Sequence, residues 1–385
     1  MRDPLGNNTV ATALARHRGE GPGFGLMRLA LATLIFFLHA RSLAALALAV
    51  PGHDTKAALA GLGGWSGPTR PFYVALVPMF FSLSGFLVTG SAFRVRATST
   101  FLAFRALRIF PALSVEITLS ALILGPIFTT LPLREYFSHP DFFRYFGNVV
   151  GLITYYLPGV FHSNRITIVN GNLWTLPPEF HCYLVTAFLM ITGLVYWRSA
   201  FSIVLALATV IFMILNGIGD FGQDSLAFSG ATMTYYFFVG MLFFHWKEYI
   251  PLRWSLFGIA SVASYLLLLS RHTIFLAPVF VAYCTLFLGF VDISEMKWLK
   301  NRDYSYGIYL YGYPIMQAWV AAVPSLRGHT YLAPTLAFVT AVLFAALSWH
   351  NIEKPMLAFK NHLPNRLFPA REPARKPAQV AISGA

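Results

Sequence analysis

The sequence predicts an all-α polytopic membrane protein of about ten transmembrane helices with a partly re-entrant outer segment. Three observations carry that prediction. Hydrophobic residues make up 57% of the 385 positions and charged residues only 11%, against roughly 25% charged in soluble globular chains. Mean hydropathy is +0.61. Apolar stretches recur along almost the whole chain at the length of about 20 residues that a bilayer-crossing helix requires.

Eleven such stretches fall at about 25–49, 71–92, 107–131, 142–160, 179–197, 200–217, 230–246, 252–270, 273–291, 304–323 and 331–350. The fourth differs from the rest, because Arg144, Asn148 and Gly151 interrupt it and Pro158 ends it. Basic residues decide its topology. If 142–160 does not cross, most of the 28 lysines and arginines fall on the side of both termini. That is the pattern of cytoplasmic loops. If it does cross, every later loop changes side and the majority is lost. The expectation is therefore ten spans, both termini cytoplasmic, with 142–178 folded partly back into the membrane from the outer side.

The domain organisation follows. Residues 1–23 form a polar cytoplasmic arm, 24–359 one membrane domain, and 360–385 a basic, Pro- and Ala-rich tail with the composition of disorder. The arm has no apolar core of a signal peptide. The net charge of +13 resides mainly in connectors and tails, where topology explains it, so nucleic acid is not an expected partner. The two cysteines, Cys182 and Cys284, both lie in apolar helical stretches, which excludes a disulfide framework. No fixed-period repeat is present, and no cluster has metal-ligand spacing.

Against this apolar background the polar residues stand out. Arg28 and His39 open the first span. Eleven residues turn a helix through about 1100°, so the two side chains point within roughly 20° of each other, about 16 Å apart along the axis. An arginine at the mouth thus lies below a histidine near mid-membrane, and imidazole can act as base or nucleophile. Arg41 points to nearly the opposite face. Arg94, Arg96, Arg105 and Arg108 follow the second span with no acid among them. Arg105 and Arg108, spaced i, i+3, share a face. With Arg28 they form three guanidinium groups suited to phosphates, and Pro111 is positioned to kink the helix just beyond. Glu116 is an intramembrane acid with no evident partner. In Asn170-Gly-Asn-Leu-Trp174-Thr-Leu-Pro-Pro-Glu179, the paired prolines suit a helix start, which sets Glu179 at or inside the outer boundary. Tyr306, Tyr309 and Tyr313 share one helical face. Each feature also has a plainer explanation: a hydrogen-bonded histidine, positive-inside arginines, a first-turn glutamate and interfacial tyrosines.

Together these segments resemble the integral-membrane acyltransferase-3 family, which includes O-antigen, exopolysaccharide and nodulation-factor acetylases. The resemblance runs from about Phe24 to Phe359. It rests on an ordered series: Arg28 to His39; Phe80-Phe-Ser-Leu-Ser84-Gly-Phe-Leu87; Phe104-Arg-Ala-Leu-Arg-Ile-Phe-Pro111; Leu173-Trp-Thr-Leu-Pro-Pro-Glu179; Tyr304-Ser-Tyr-Gly-Ile-Tyr-Leu310; and Ile352-Glu-Lys-Pro355. The resemblance implies a membrane O-acyltransferase that moves an acyl group, usually acetyl, from cytoplasmic acyl-CoA to a hydroxyl of a membrane-associated or exported carbohydrate. The expected location is the bacterial inner membrane. His39 and Glu179 would be catalytic, and Arg28, Arg105 and Arg108 would hold the donor. Ser84, Trp174, Tyr306, Tyr309 and Tyr313 would contact substrate. Acyl-CoA enters as a substrate, with no permanently bound cofactor and no metal. The chain departs from many members in carrying Gly312 and Tyr313 where they have histidine or tryptophan. The alternative from another class is a transporter or flippase of a lipid-linked sugar, which would use His39 and Glu116 as part of a substrate path.

Overall fold

The computed structural model describes residues 9–17, 19, 21–46, 67–215, 229–269, 273, 276–291 and 302–359. The predicted tail at 360–385, with Lys297 and Lys300, lies outside them. A short α1 (Val10–Arg16) precedes ten helices of 14 to 23 residues. These are α2 (Phe24–Leu46), α3 (Leu76–Val95), α4 (Thr98–Leu119), α5 (Leu176–Ile191) and α6 (Arg198–Leu215), then α7 (Gly230–His245), α8 (Trp254–Leu269), α9 (Ala277–Phe290), α10 (Ser305–Ala322) and α11 (Leu332–Ser348). Among the described residues no strand forms, only two isolated β-bridges.

Among the described residues, four segments are long and apolar enough by themselves to cross a bilayer: Phe24–Ala44, Gly67–Val95, Thr98–Phe128 and Leu332–Ala358. Shorter apolar helices at Arg198–Ile211, Trp254–Leu269 and Ala277–Phe290 accompany them. Leu34, Ile123, Leu207, Ile259 and Leu343 are each more than half exposed. An apolar exterior of this extent suits lipid, where van der Waals packing and satisfied backbone bonds hold helices together. The chain is a multi-pass membrane protein.

Contacts at the helix ends show the alternation of direction. At one end Gly23 donates to the Gly289 carbonyl at 2.9 Å, and Val10 to that of Ile250 at 2.9 Å. Arg198 pairs with Glu248 at 3.8 Å at the same end. At the other end the Tyr265 hydroxyl donates to Pro68 at 3.0 Å, and Gly328 to Ala44 at 3.0 Å. Ten helices that alternate in this way bring residues 9–28 and 353–359 to one face.

Small residues allow the closest helix approaches. A Cβ on Gly85 of α3 would run into the Phe237 carbonyl of α7, and one on Gly240 into that of Ser82. Next to α2 and α11, α10 presents Gly312 to Phe36 and Gly307 to Ala345.

The stretch at 142–160 forms no spanning helix. Short helices at Leu133–Ser138 and Pro140–Tyr145 give way to a 3-10 turn at Phe146–Val150, and Gly151 turns the chain at φ +84°. Buried Asn148 fixes that turn, with its amide bonded to Tyr145 and Thr154 between 2.8 and 2.9 Å. Extended chain then descends beside α10. Asn164 meets Gln317 at 2.9 Å, Asn170 the Leu310 carbonyl at 2.9 Å, and Asn172 that of Tyr309 at 2.6 Å. These bonds anchor the segment to α10, and Gln317 donates in return to the Ile166 and Ile168 carbonyls at 2.7 Å, so non-helical backbone is satisfied within the protein, the condition under which it survives at membrane depth.

Three details differ from the sequence reading. The third span starts at Thr98 rather than 107, because a polar but helix-competent turn extends it, so Arg105 and Arg108 lie inside the helix. That helix passes through Pro111 without interruption. The N-terminal arm contains a helix whose Val10, Ala13 and Leu14 are buried; seven residues with one short apolar face fall below what periodicity detects.

Candidate active site

The site is assembled on α2, α4, α5 and α10, and its first part is an ionic cluster. Asp303 stands two residues before α10, where its Oδ1 accepts from the Ser305 hydroxyl at 2.5 Å and the Ser305 amide at 3.3 Å. Its Oδ2 accepts from Arg108 at 2.7 Å and pairs with Arg28 at 3.3 Å. One carboxylate thereby joins α2, α4 and α10. Burial would push its pKa up, but Arg108 and Arg28, with the Ser305 and Arg108 hydrogen bonds, together hold it well below the usual carboxylate range. Arg108 also faces Glu353 at 3.8 Å and lies over the Tyr306 ring at 5.7 Å. A π-helical turn at Trp349–Glu353 turns Glu353 inward, where the Ser348 hydroxyl donates to it at 3.2 Å.

Arg105 takes a different side of α4. Its guanidinium donates to Ser91 at 3.3 Å and lies near the Phe101 and Tyr183 rings at 5.7 and 5.8 Å. Tyr183 in turn donates to Glu179 at 2.5 Å and interacts with Ser84. Both Arg105 and Arg108 act electrostatically on Glu179. The glutamate therefore belongs to the arginine level. The sequence set it at or inside the outer boundary, but the descending segment carries the chain inward before α5 begins.

Higher up, α2 and α10 continue side by side in the same direction. His39 reaches the Tyr313 ring at 5.9 Å, edge to face, some 16 Å along the axis from Arg28. His39 lines a cavity of about 250 Å³ with Tyr73, Trp174, Ile35, Leu38, Leu76 and Val77. Trp174 arrives on the descending segment, which approaches closely because a Cβ on Gly171 would strike the Tyr313 ring. Tyr309 fixes that segment from below, through hydroxyl contacts with Asn172 and Thr175.

The structure thus joins Arg28 with Arg108 and Tyr306, Arg105 with Glu179 and Ser84, and His39 with Trp174 and Tyr313. Sequence reasoning missed Asp303, Tyr183 and Tyr73, and assigned Glu353 no role. Tyr183 was accessible as the i+4 neighbour of Glu179; Asp303 is paired with arginines up to 275 positions away in the chain, which no local pattern shows. Glu116 gains partners in Ser120 at 2.9 Å and Asn170 at 3.0 Å. It borders a larger apolar cavity of about 400 Å³ beside Ile123, Phe128 and Phe344, which includes neither His39 nor any arginine. The smaller cavity is the one that holds His39. Arg41, on the far side of α2, lies over the Tyr331 ring at 5.3 Å.

A half-buried histidine above a cluster of guanidinium groups, within a helical membrane domain, is the arrangement of an integral-membrane enzyme. The model of the acyltransferase-3 family, described as an acyltransferase domain, matches residues 22–350, and the chain belongs to that family. It is similar to an O-acetyl transferase of Shigella phage Sf6, 27% identical over 292 residues that cover 73% of this chain and 84% of the relative. It is also similar to nodulation protein 10 of Rhizobium leguminosarum bv. viciae, 28% identical over 311 residues that cover 74% and 83%. No solved structure shows significant similarity to the chain.

Proposed function

We propose that this acyltransferase moves an acetyl group from acyl-CoA, bound at the arginine end, to a hydroxyl of a membrane-associated or exported carbohydrate. The observation that carries the reading is the placement of His39. It lines an aromatic-walled cavity on the same helix face as Arg28, with no hydrogen bond to another described residue. A histidine held only for packing is normally satisfied by a neighbour; this one retains its nitrogens for a reactant.

Arg28, Arg105 and Arg108 suit the donor phosphates. The separation of about 16 Å from Arg28 to His39 fits the long flexible arm between those phosphates and the thioester. Trp174 and Tyr73 supply flat apolar faces for a sugar ring. In the transfer, the acceptor hydroxyl attacks the thioester carbonyl and the C–S bond breaks. The hydroxyl proton passes through His39 to the departing thiolate, leaving an ester and free coenzyme A. In the alternative route, His39 takes the acyl group first; acyl-histidine trapped without acceptor distinguishes it. The arginine end corresponds to the cytoplasm of a bacterial inner membrane, since it gathers most of the basic residues. Family membership favours this chemistry over transport of a lipid-linked sugar.

The test is acetyl-CoA binding and transfer by the purified full-length protein. Binding weakened by Arg105→Ala and Arg108→Ala, with transfer abolished but binding retained in His39→Ala, is the expected result. A folded wild type that binds no acyl-CoA of any chain length overturns the reading.

A further inference from the structure

We propose that Asp303 is the positioning residue of the donor site, an internal counter-ion that aims Arg28 and Arg108 at one point; this rests on the donor reading above. A single oxygen receives both guanidinium groups, Arg108 at 2.7 Å and Arg28 at 3.3 Å. The other oxygen is fixed by Ser305 through its hydroxyl at 2.5 Å and its amide at 3.3 Å. All four contacts engage a side chain only 13% exposed. Without Asp303, two long arginines on different helices would repel each other and sample many rotamers, since each carries about 2 kcal/mol of rotamer entropy. With it, both forks converge while most of their N–H donors stay free. Arg28 Nε is buried and has no hydrogen-bond partner, and so is Arg105 Nε on the neighbouring face of α4. Buried donors of this kind are rarely left unmade, and they await an anion.

Asp303 could instead be a stand-in that phosphate must expel. The geometry argues against that role. Its anchor to Ser305 is independent of the arginines, and displacement would leave a buried carboxylate facing an incoming anion. The third guanidinium, Arg105, has no ion-pair partner among the described residues and offsets the residual repulsion between carboxylate and phosphate.

The test uses the full chain in detergent, with Asp303→Asn and Asp303→Glu compared by acetyl-CoA titration and by steady-state kinetics. Asp303→Asn should weaken acetyl-CoA binding about tenfold, equivalent to about 1.4 kcal/mol. The donor KM should rise in step, whereas kcat should fall less than about threefold, because His39 and its cavity are untouched. Asp303→Glu, which restores the charge, should recover most of the affinity. A general loss of structure would instead lower kcat and acceptor binding together. If Asp303→Asn does not fold, Ser305→Ala replaces it: the charge stays but its anchor is lost, and donor affinity should fall about threefold. Unchanged or tighter acetyl-CoA binding in either folded variant overturns the proposal, and tighter binding identifies Asp303 as a competitor. A wild type without acetyl-CoA binding would fail at the earlier step, and this inference would fall with it.

Discussion

The two halves of the site are built on opposite principles. Around Asp303 every charged group has a partner on another helix. Arg28, Arg108, Asp303 and Glu353 form a continuous ionic network. Around His39 the polar atoms are few, and the cavity is walled by aromatic and aliphatic side chains. Buried charges cost several kcal/mol each unless paired, and the arginine–carboxylate pairs of the lower half offset that cost. The upper half leaves its imidazole without a hydrogen bond to any described residue, against a largely apolar wall. In the reading proposed above, one half serves recognition of an anion and the other serves chemistry.

The sharpest way to break this comparison is His39→Ala. General acid–base groups typically contribute 10²- to 10⁴-fold, so acetyl transfer should fall at least about 100-fold while acetyl-CoA binding persists. Loss of both would mean that the halves are not separable.

A second test contrasts two arginines that a helix wheel treats alike. Arg108→Ala removes the ion-pair partner of Glu353 and one of the two held by Asp303, and should destabilise the protein by about 3 kcal/mol, visible as a lower Tm in detergent. Arg105→Ala breaks no ion pair and should leave Tm nearly unchanged while weakening donor binding. Equal effects on Tm would dissolve the distinction between a structural and a ligand-facing guanidinium.

Smaller effects belong to Trp174. Packing a sugar against the indole face buries apolar area at roughly 25 cal/mol per Å², so Trp174→Ala should raise acceptor KM about tenfold without a comparable change in donor affinity. The smallest expected effect concerns pH. Asp303 has its folded-state pKa depressed, so its contribution is complete above its unfolded value, near 4, and is lost only as pH falls through the lower folded value. Donor binding between pH 5 and 8 should therefore be flat with respect to this group. An acid limb near pH 6 that disappears in Asp303→Asn would contradict the geometry.

The fold was legible because lipid imposes a simple code. Apolar runs of the required length mark helices, and the polar breaks at Arg144, Asn148 and Gly151 mark a stretch that forms no spanning helix. The Arg28–His39 alignment was legible too, since helical geometry alone relates residues on one span. The depth of Glu179 was not, because a proline-led helix start does not reveal how far the preceding chain has already descended. Nor was the split between Arg105 and Arg108. Spacing of i, i+3 puts them on one face, but their partners, Ser91 and Asp303, lie on different neighbouring helices. Asp303 lies between two apolar stretches with no local pattern to mark it, and its pairing with two arginines exists only in three dimensions.

The ionic network also has a history in time. Arg108 and Asp303 are 195 residues apart, so a chain made from its N-terminus inserts Arg28 and Arg108 long before their carboxylates exist. During that interval the early helices show the membrane uncompensated positive charge at one end, the signal that orients a nascent span. When Asp303 and Glu353 emerge, the same guanidinium groups become partners in an ionic network. Neutralisation late in biosynthesis lets one pair of arginines first steer insertion and then hold three helices together.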